Sequence, residues 1–305
     1  MRSKAMVAAL VIAACSGMVH AEGPSLEWLK SETKATQYAN SFRSSAELIL
    51  NRTGAERSKA VDAMYQLARA GYGDALNFTG FMLDNGIGVQ QDSRTAARYF
   101  NEAMKRGNRY AGHNLGVMYL LGRGVPQDIN TGMRLLNEGT KFRIPESSIV
   151  IGMFYEAKKD WGKAAFAYEG AKGYIEHPIA KTRLGILMVR GLGMQQNIKE
   201  GRLLIEEAAK MWWPESQWTL AQMAQLGIGG KPDMWQAAWW ATILRANPLA
   251  RGTQYEELAI RIGNGAGLNE QAWREISGST KIWIEANNRF AKNFNYWNTA
   301  SGPLM

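Results

Sequence analysis

Few residues in this chain have the types and spacing that catalysis requires. Ser31-Glu-Thr-Lys34 sets a lysine one helical turn after a serine, the spacing of a Ser-x-x-Lys nucleophile motif. The Ser-Asp-Asn and Lys-Thr-Gly elements that complete such a site are absent, and Ser31 reads instead as a helix cap. Outside the N-terminal segment the histidines are His113 and His177, and neither lies in a His-Glu-x-x-His or comparable metal-ligand spacing. There is no Gly-x-Ser-x-Gly elbow and no Gly-x-x-x-x-Gly-Lys phosphate loop. The expectation is a protein that is not an enzyme and uses no cofactor or metal.

The only cysteine, Cys15, lies in a segment that reads as an export signal. Arg2 and Lys4 begin it, Ala5 to Ala14 is apolar, and Val19-His20-Ala21 has the small residues of a cleavage site. That apolar run is much shorter than the roughly 20 residues needed to span a bilayer. Residues 1–21 are therefore expected to be removed, delivering the chain to the periplasm or beyond. Ile12-Ala13-Ala14-Cys15 also has the form of a bacterial lipobox, so a membrane anchor follows only if Cys15 is lipidated. Cleavage before Glu22 would leave no thiol to pair, to ligate a metal or to act as nucleophile. Loss of Arg2 and Lys4 lowers the formal charge of +9 by two, leaving a moderately basic chain. Its densest basic run, Lys105-Arg106 with Arg109, falls at a predicted helix end where cations favour the dipole, so no nucleic-acid partner is expected.

The elements that position everything else come from a repeat. Gly80, Gly86, Gly88 and Asp92 recur 36 residues later as Gly116, Gly122, Gly124 and Asp128. Self-similarity at this period marks a stacked array. In Ala111 to Tyr119, the apolar residues Leu115, Met118 and Tyr119 follow Ala111 at helical spacing. The loop glycines Gly122 and Gly124 end that helix, and Asp128 caps the next one. Gly152 continues the register, but its aspartate is Asp160, so this copy lacks four loop residues. Gly185, Gly191 and Gly193, with Asn197 as cap, restore the full form, and Gly227, Gly229 and Asp233 repeat it with Ala221 in place of the first glycine. Ala60 and Gly71 align upstream without loop glycines, as in an atypical first repeat. The expected layout is a signal at 1–21, a cap with a degenerate repeat at 22–72, five repeats at 73–247 and a helical cap at 248–305.

The run from Ala111 to Asp128, Ala-x-x-x-Leu-Gly-x-Met-Tyr-x-x-Gly-x-Gly-Val-x-x-Asp, resembles the Sel-1-like repeat, a relative of the tetratricopeptide repeat. The resemblance implies an all-α, right-handed superhelical solenoid of helical hairpins, in which first helices line the concave side. It also implies an adaptor or scaffold role toward another protein, often for exported bacterial proteins of the envelope. Some periplasmic relatives are immunity proteins that block a secreted toxin such as a lipase, which keeps an inhibitor role open. Some disulfide-rich relatives have been linked to β-lactam binding, but the cysteine pairs of that subgroup are missing here.

With each first-helix glycine as position zero, the hairpin core falls at −5, −1, +2 and +3, and the opposite face at −3, +1 and +4. That opposite face carries Phe81, His113, Val117, Leu120, Met153, Ile186 and Trp218, more apolar than a face meant for water. A partner-binding groove and burial by tight curvature both explain it. His113 is expected to be exposed there, and His177, before Pro178, to be a polar turn residue. Beyond Pro248, a helix from about Thr253 to Ile262 and another starting at Asn269 are expected. Trp283, Ala286, Phe290, Phe294 and Trp297 follow helical spacing and would seal the open end of the array. Nine of the eleven tryptophans follow Met211; of these, Trp239, Trp240 and Trp283 are expected as core and the remainder as candidate contact residues.

Overall fold

A computed structural model describes residues 26–172 and 177–292, with side chains described over 35–171 and 177–287. The export segment with Cys15, and Phe294 and Trp297, lie outside these residues, as does the side chain of Phe290. Helices alone occur among the described residues: α1 Leu26–Asn51, α2 Gly54–Arg69, α3 Gly73–Asn85, α4 Ser93–Lys105, α5 Arg109–Leu121, α6 Ile129–Lys141 and α7 Pro145–Ala157. They continue as α8 Trp161–Lys172, α9 Pro178–Arg190, α10 Ile198–Lys210, α11 Pro214–Leu226, α12 Met234–Ala246, α13 Gln254–Gly265 and α14 Glu270–Lys292. Successive hairpins stack as an α/α solenoid. The chain divides into two compact units, with the boundary between Val150 and Ile151 inside α7. None of these helices is long and apolar enough to cross a membrane.

The second helix of each repeat begins where the acidic or amide cap stands. Asp92 accepts from the Thr95 amide at 3.0 Å, Asp128 from Thr131 at 3.0 Å, Asn197 from Glu200 at 3.1 Å and Asp233 from Gln236 at 2.9 Å. Asp160 makes the same bond to Lys163 at 3.3 Å in the shortened repeat. Each bond satisfies one of the free amides of a helix start. Gly86, Gly122, Gly191 and Gly227 end the preceding helices in left-handed conformation. Ser31, by contrast, lies inside α1 and is not a cap, because that helix already begins at Leu26.

Two glycine contacts explain how hairpins form and stack. Gly116 and Gly132 face each other, a side-chain carbon on Gly132 falling 2.9 Å from the Gly116 carbonyl, so α5 and α6 pack backbone to backbone. Gly124, the second loop glycine, sits on the start of α4 in the preceding repeat. Its φ is 70°, and any side-chain carbon there would run into the Ser93 carbonyl. Gly193 rests in the same way on Trp161 and Gly162 at the start of α8.

The core stripe is where the period places it. Positions −5 and −1 are buried in all five repeats, from Ala75 and Thr79 to Ser216 and Leu220. Position +2 is buried except at Phe154, while +3 is only half-buried at Tyr119, Tyr155 and Met188. In the first unit, Phe42, Ala46 and Ile49 of α1 extend the core that α3 to α6 build. In the second, α13 and α14 close the stack. Trp239, Trp240 and Trp283 meet edge to face at 4.9–6.0 Å, and Trp212 joins them 5.9 Å from Trp283. Trp239, Trp240 and Trp283 are the expected core tryptophans; Trp212, expected among the contact residues, is instead buried with them. Asn269 caps α14 through the Ala272 amide at 2.9 Å. The expected apolar stripe holds at half-buried Trp283 but fails at Ala286, which is exposed, the buried side of α14 being Ile276, Thr280 and Trp283.

Candidate partner-binding face

The first-helix face opposite the hairpin core is not uniformly open. At −3, Asn77, His113, Ile149 and Thr182 are buried, and only Trp218 is half-buried. At +4, Asp84, Leu120 and Val189 are buried, Glu156 is half-buried and Gln225 is exposed. At +1, Phe81, Val117, Met153, Ile186 and Gln222 are all half-buried. Two of the expected groove residues are therefore corrected. His113 and Leu120 are 7% and 4% exposed: His113 meets Ser147 of the next first helix, and Leu120 turns back onto Gly132 of its own hairpin. What remains accessible is Phe81, Val117, Met153, Ile186 and Trp218. Phe81 leans on the core of the first unit, and Ile186 and Trp218 on that of the second.

The buried polar residues of this face form rungs between repeats. His113 Nδ1 lies 2.9 Å from Ser147 Oγ, and Thr182 Oγ1 lies 2.6 Å from Ser216 Oγ, each pair joining −3 of one repeat to −5 of the next. Desolvation holds His113 neutral, its pKa lowered to about 4. His177 is not a surface turn residue either. It is 1% exposed at the start of α9, and burial lowers its pKa to about 3. Both are structural histidines.

Charge concentrates at two places. In the first unit, buried Asp84 pairs with Arg123 Nη2 at 2.6 Å and accepts from Ser93 Oγ at 2.7 Å, tying the loop of one repeat to the preceding hairpin. In the second unit, Arg183 on α9 lies between Glu156 of α7 and Glu215 of α11, each carboxylate 3.1 Å from one guanidinium nitrogen. Tyr168 of α8 donates to the other Glu156 oxygen at 2.6 Å. The hydroxyl of Tyr168 is held well above its usual range by burial and by the Glu156 carboxylate. Burial also raises the Glu215 carboxyl, against the opposing pull of Arg183. Sequence reading missed this cluster, because Arg183 has its partners on the repeats before and after it, and Tyr168 meets Glu156 across its own hairpin.

Outside this face, exposed apolar side chains include Leu226 at the end of α11 and Ile282 of α14, 65% and 69% exposed, and several on second helices. Phe166, the sixth residue of α8, is 83% exposed, Leu203, the sixth of α10, is 51% exposed, and Trp235 of α12 is 36% exposed. The equivalent sixth residues of α4 and α6 are Arg98 and Arg134, so the change from cation to apolar residue was legible in the repeat register. Among the described residues, no group of three or more His, Cys, Asp and Glu side chains could hold a metal ion. The arrangement offers apolar contact and ion pairing, the chemistry of protein recognition.

The Sel1 repeat family model matches residues 61–108, 110–139, 178–211 and 214–243. The stretch between, holding the shortened α7–α8 hairpin, falls outside those matches. No curated protein matches the chain. Among solved structures it is similar to c5321, a protective antigen of uropathogenic Escherichia coli with an SLR fold, at TM-score 0.69 and 15% identity. That match covers 92% of this chain but only 60% of the other, so this chain spans less than two thirds of that protein's length. A Sel1 repeat protein from Oxalobacter formigenes matches at TM-score 0.57 and 19% identity, over 77% of this chain and 96% of that one. The immunity protein Pa5087 of Pseudomonas aeruginosa, at TM-score 0.48 and 14% identity over 76% and 84% of the two chains, is too distant to carry an argument. Repeat register and capping pattern agree with the family model: the chain carries Sel1 repeats at these four stretches.

Proposed function

We propose that this chain is an exported, non-enzymatic scaffold or regulator of the bacterial cell envelope that receives a protein partner on the first helices of its solenoid. Sel1 repeat proteins bind other proteins. The observation that carries the reading is the +1 row: Phe81, Val117, Met153 and Ile186 stay apolar in four repeats although none is fully buried. A recurring, half-open apolar position is what a docking surface needs and what a solvated face does not. The reading of residues 1–21 as an export signal supports work outside the cytoplasm, in the periplasm if cleavage falls before Glu22.

Affinity capture from periplasmic extract, with mass spectrometry, tests this on three proteins: wild type, Val117→Glu with Met153→Glu, and Phe166→Asp with Leu203→Asp. A partner held by wild type and by the second-helix variant, but lost from a folded first-helix variant, supports the reading. Loss from the second-helix variant alone moves the site to the Phe166 row. The mature N-terminus, read from the same fractions, should be Glu22; a lipid-modified Cys15 would place the protein on a membrane.

A further inference from the structure

The cluster around Arg183 holds one more carboxylate than guanidinium. Glu156, Arg183 and Glu215 come from three successive first helices, and their side chains are only 23%, 20% and 15% exposed. The two carboxylates are not equally well held. Glu156 has Arg183 on one oxygen and a short bond from the Tyr168 hydroxyl, 2.6 Å, on the other. Glu215 has Arg183 on one oxygen, and its other oxygen has, among the described residues, the Trp213 indole N–H at 3.5 Å, a marginal hydrogen bond. Tyr255 of α13 is the remaining titratable group that faces the cluster, and burial followed by the Glu215 charge pushes it up to about 12, so it stays neutral and donates no compensating charge.

We propose that the Glu156–Arg183–Glu215 cluster is a proton-loaded clamp: a proton on Glu215 tightens the stack of α7, α9 and α11. A proton on Glu215 removes the uncompensated charge and leaves one guanidinium facing one carboxylate. The protonated carboxyl still accepts from Arg183 through its carbonyl oxygen. The sign follows from linkage. A carboxyl whose folded value lies above its unfolded value binds protons more readily in the fold, so folding gains as pH falls through that raised value. This is the reverse of the usual carboxylate in an ion pair. His177, at the start of α9, titrates in the opposite direction, its folded value lying below the unfolded one, and it must be cancelled in any measurement.

Glu215→Gln provides that cancellation, since it reproduces the neutral clamp and keeps His177. Amide hydrogen exchange would be measured on full-length wild type and Glu215→Gln, at several pH values between 7.5 and 5.0. The readout is the ratio of wild-type to variant exchange rates for peptides from α9 and α11, with α3 and α4 as internal reference. The ratio cancels the intrinsic pH dependence of exchange. We expect it to fall as pH falls, by no more than tenfold per pH unit, while the α3 and α4 ratio stays level. A ratio in α9 and α11 that is flat or rises with acidification overturns the proposal. So does a fall of equal size in α3 and α4, which would report global rather than local tightening. If Glu215→Gln does not fold, acid titration of the wild-type Glu215 carboxyl by nuclear magnetic resonance decides it, and a value at or below that of an unfolded glutamate refutes the clamp.

Discussion

The indole N–H of Trp212 donates to the carbonyl of Asn287 at 3.0 Å, and this bond fastens the closing helix α14 to the end of α10. Trp212 has a left-handed backbone, φ 63°, at the register position held by Gly71 and Gly107, with φ 81° and 83°. A tryptophan costs about 1 kcal/mol more than glycine in that conformation. It is 3% exposed and stacks on Trp283, so ring burial outweighs the backbone cost. Trp212→Gly should relieve the strain yet destabilise the second unit by about 3 kcal/mol, in the range for removing a buried tryptophan. Trp212→Phe keeps a ring and loses the bond to Asn287, which should cost about 1 kcal/mol. Urea unfolding curves of the two variants check the order.

Gly107 and Gly124 separate backbone strain from close approach. Both have positive φ, but a side-chain carbon on Gly107 meets nothing within 4 Å while one on Gly124 strikes the backbone of the preceding repeat. Gly107→Ala should cost about 1 kcal/mol. Gly124→Ala must also push two repeats apart and should cost about 2–4 kcal/mol. Equal melting temperatures for the two variants would show that the loop does not act as the seat between repeats.

Val117 and Leu115, two residues apart on α5, face different surroundings. Leu115 is 5% exposed within the hairpin core and Val117 is half-buried on the +1 row. Leu115→Asp leaves an unpaired buried charge and should cost about 3–5 kcal/mol. Val117→Glu can turn its carboxylate to water and should cost about 1 kcal/mol or less. Thermal melts of both are the check. If Val117→Glu unfolds the protein as badly as Leu115→Asp, the +1 row is core and cannot receive a partner.

His113 makes the first unit sensitive to acid. Burial holds its folded pKa at about 4, below the ordinary imidazole value of 6.5. The unfolded chain therefore binds the proton first, and the stability is present above pH 6.5 and lost as pH falls toward 4. At pH 5 the loss should reach about 2 kcal/mol relative to pH 7.5. His113→Gln, which cannot titrate, should lower stability at pH 7.5 and flatten that loss. Chemical denaturation at the two pH values measures both effects.

The sequence by itself determined the hairpins, their caps and their register. Asp92, Asp128, Asn197 and Asp233 bond to amides three residues along, and Gly86 and Gly122 act at their own φ, so each signal is local and survives in a one-dimensional string. The core stripe followed too, because helical period alone brings −5, −1 and +2 to one side. Only the tertiary structure decided how much of the opposite side stays open. His113 is covered because Ser147, 34 residues on, belongs to the next first helix, and Leu120 is buried because it turns onto Gly132 of its own hairpin. The same holds for Arg183, whose partner Glu156 lies 27 residues back on one helix and whose partner Glu215 lies ahead on another. Periodicity tells which way a side chain leaves its own helix. The spacing and tilt of the neighbouring repeat decide whether it meets water, another helix or a charge, and those are set by contacts such as Gly124 on Ser93 that form only when repeats stack.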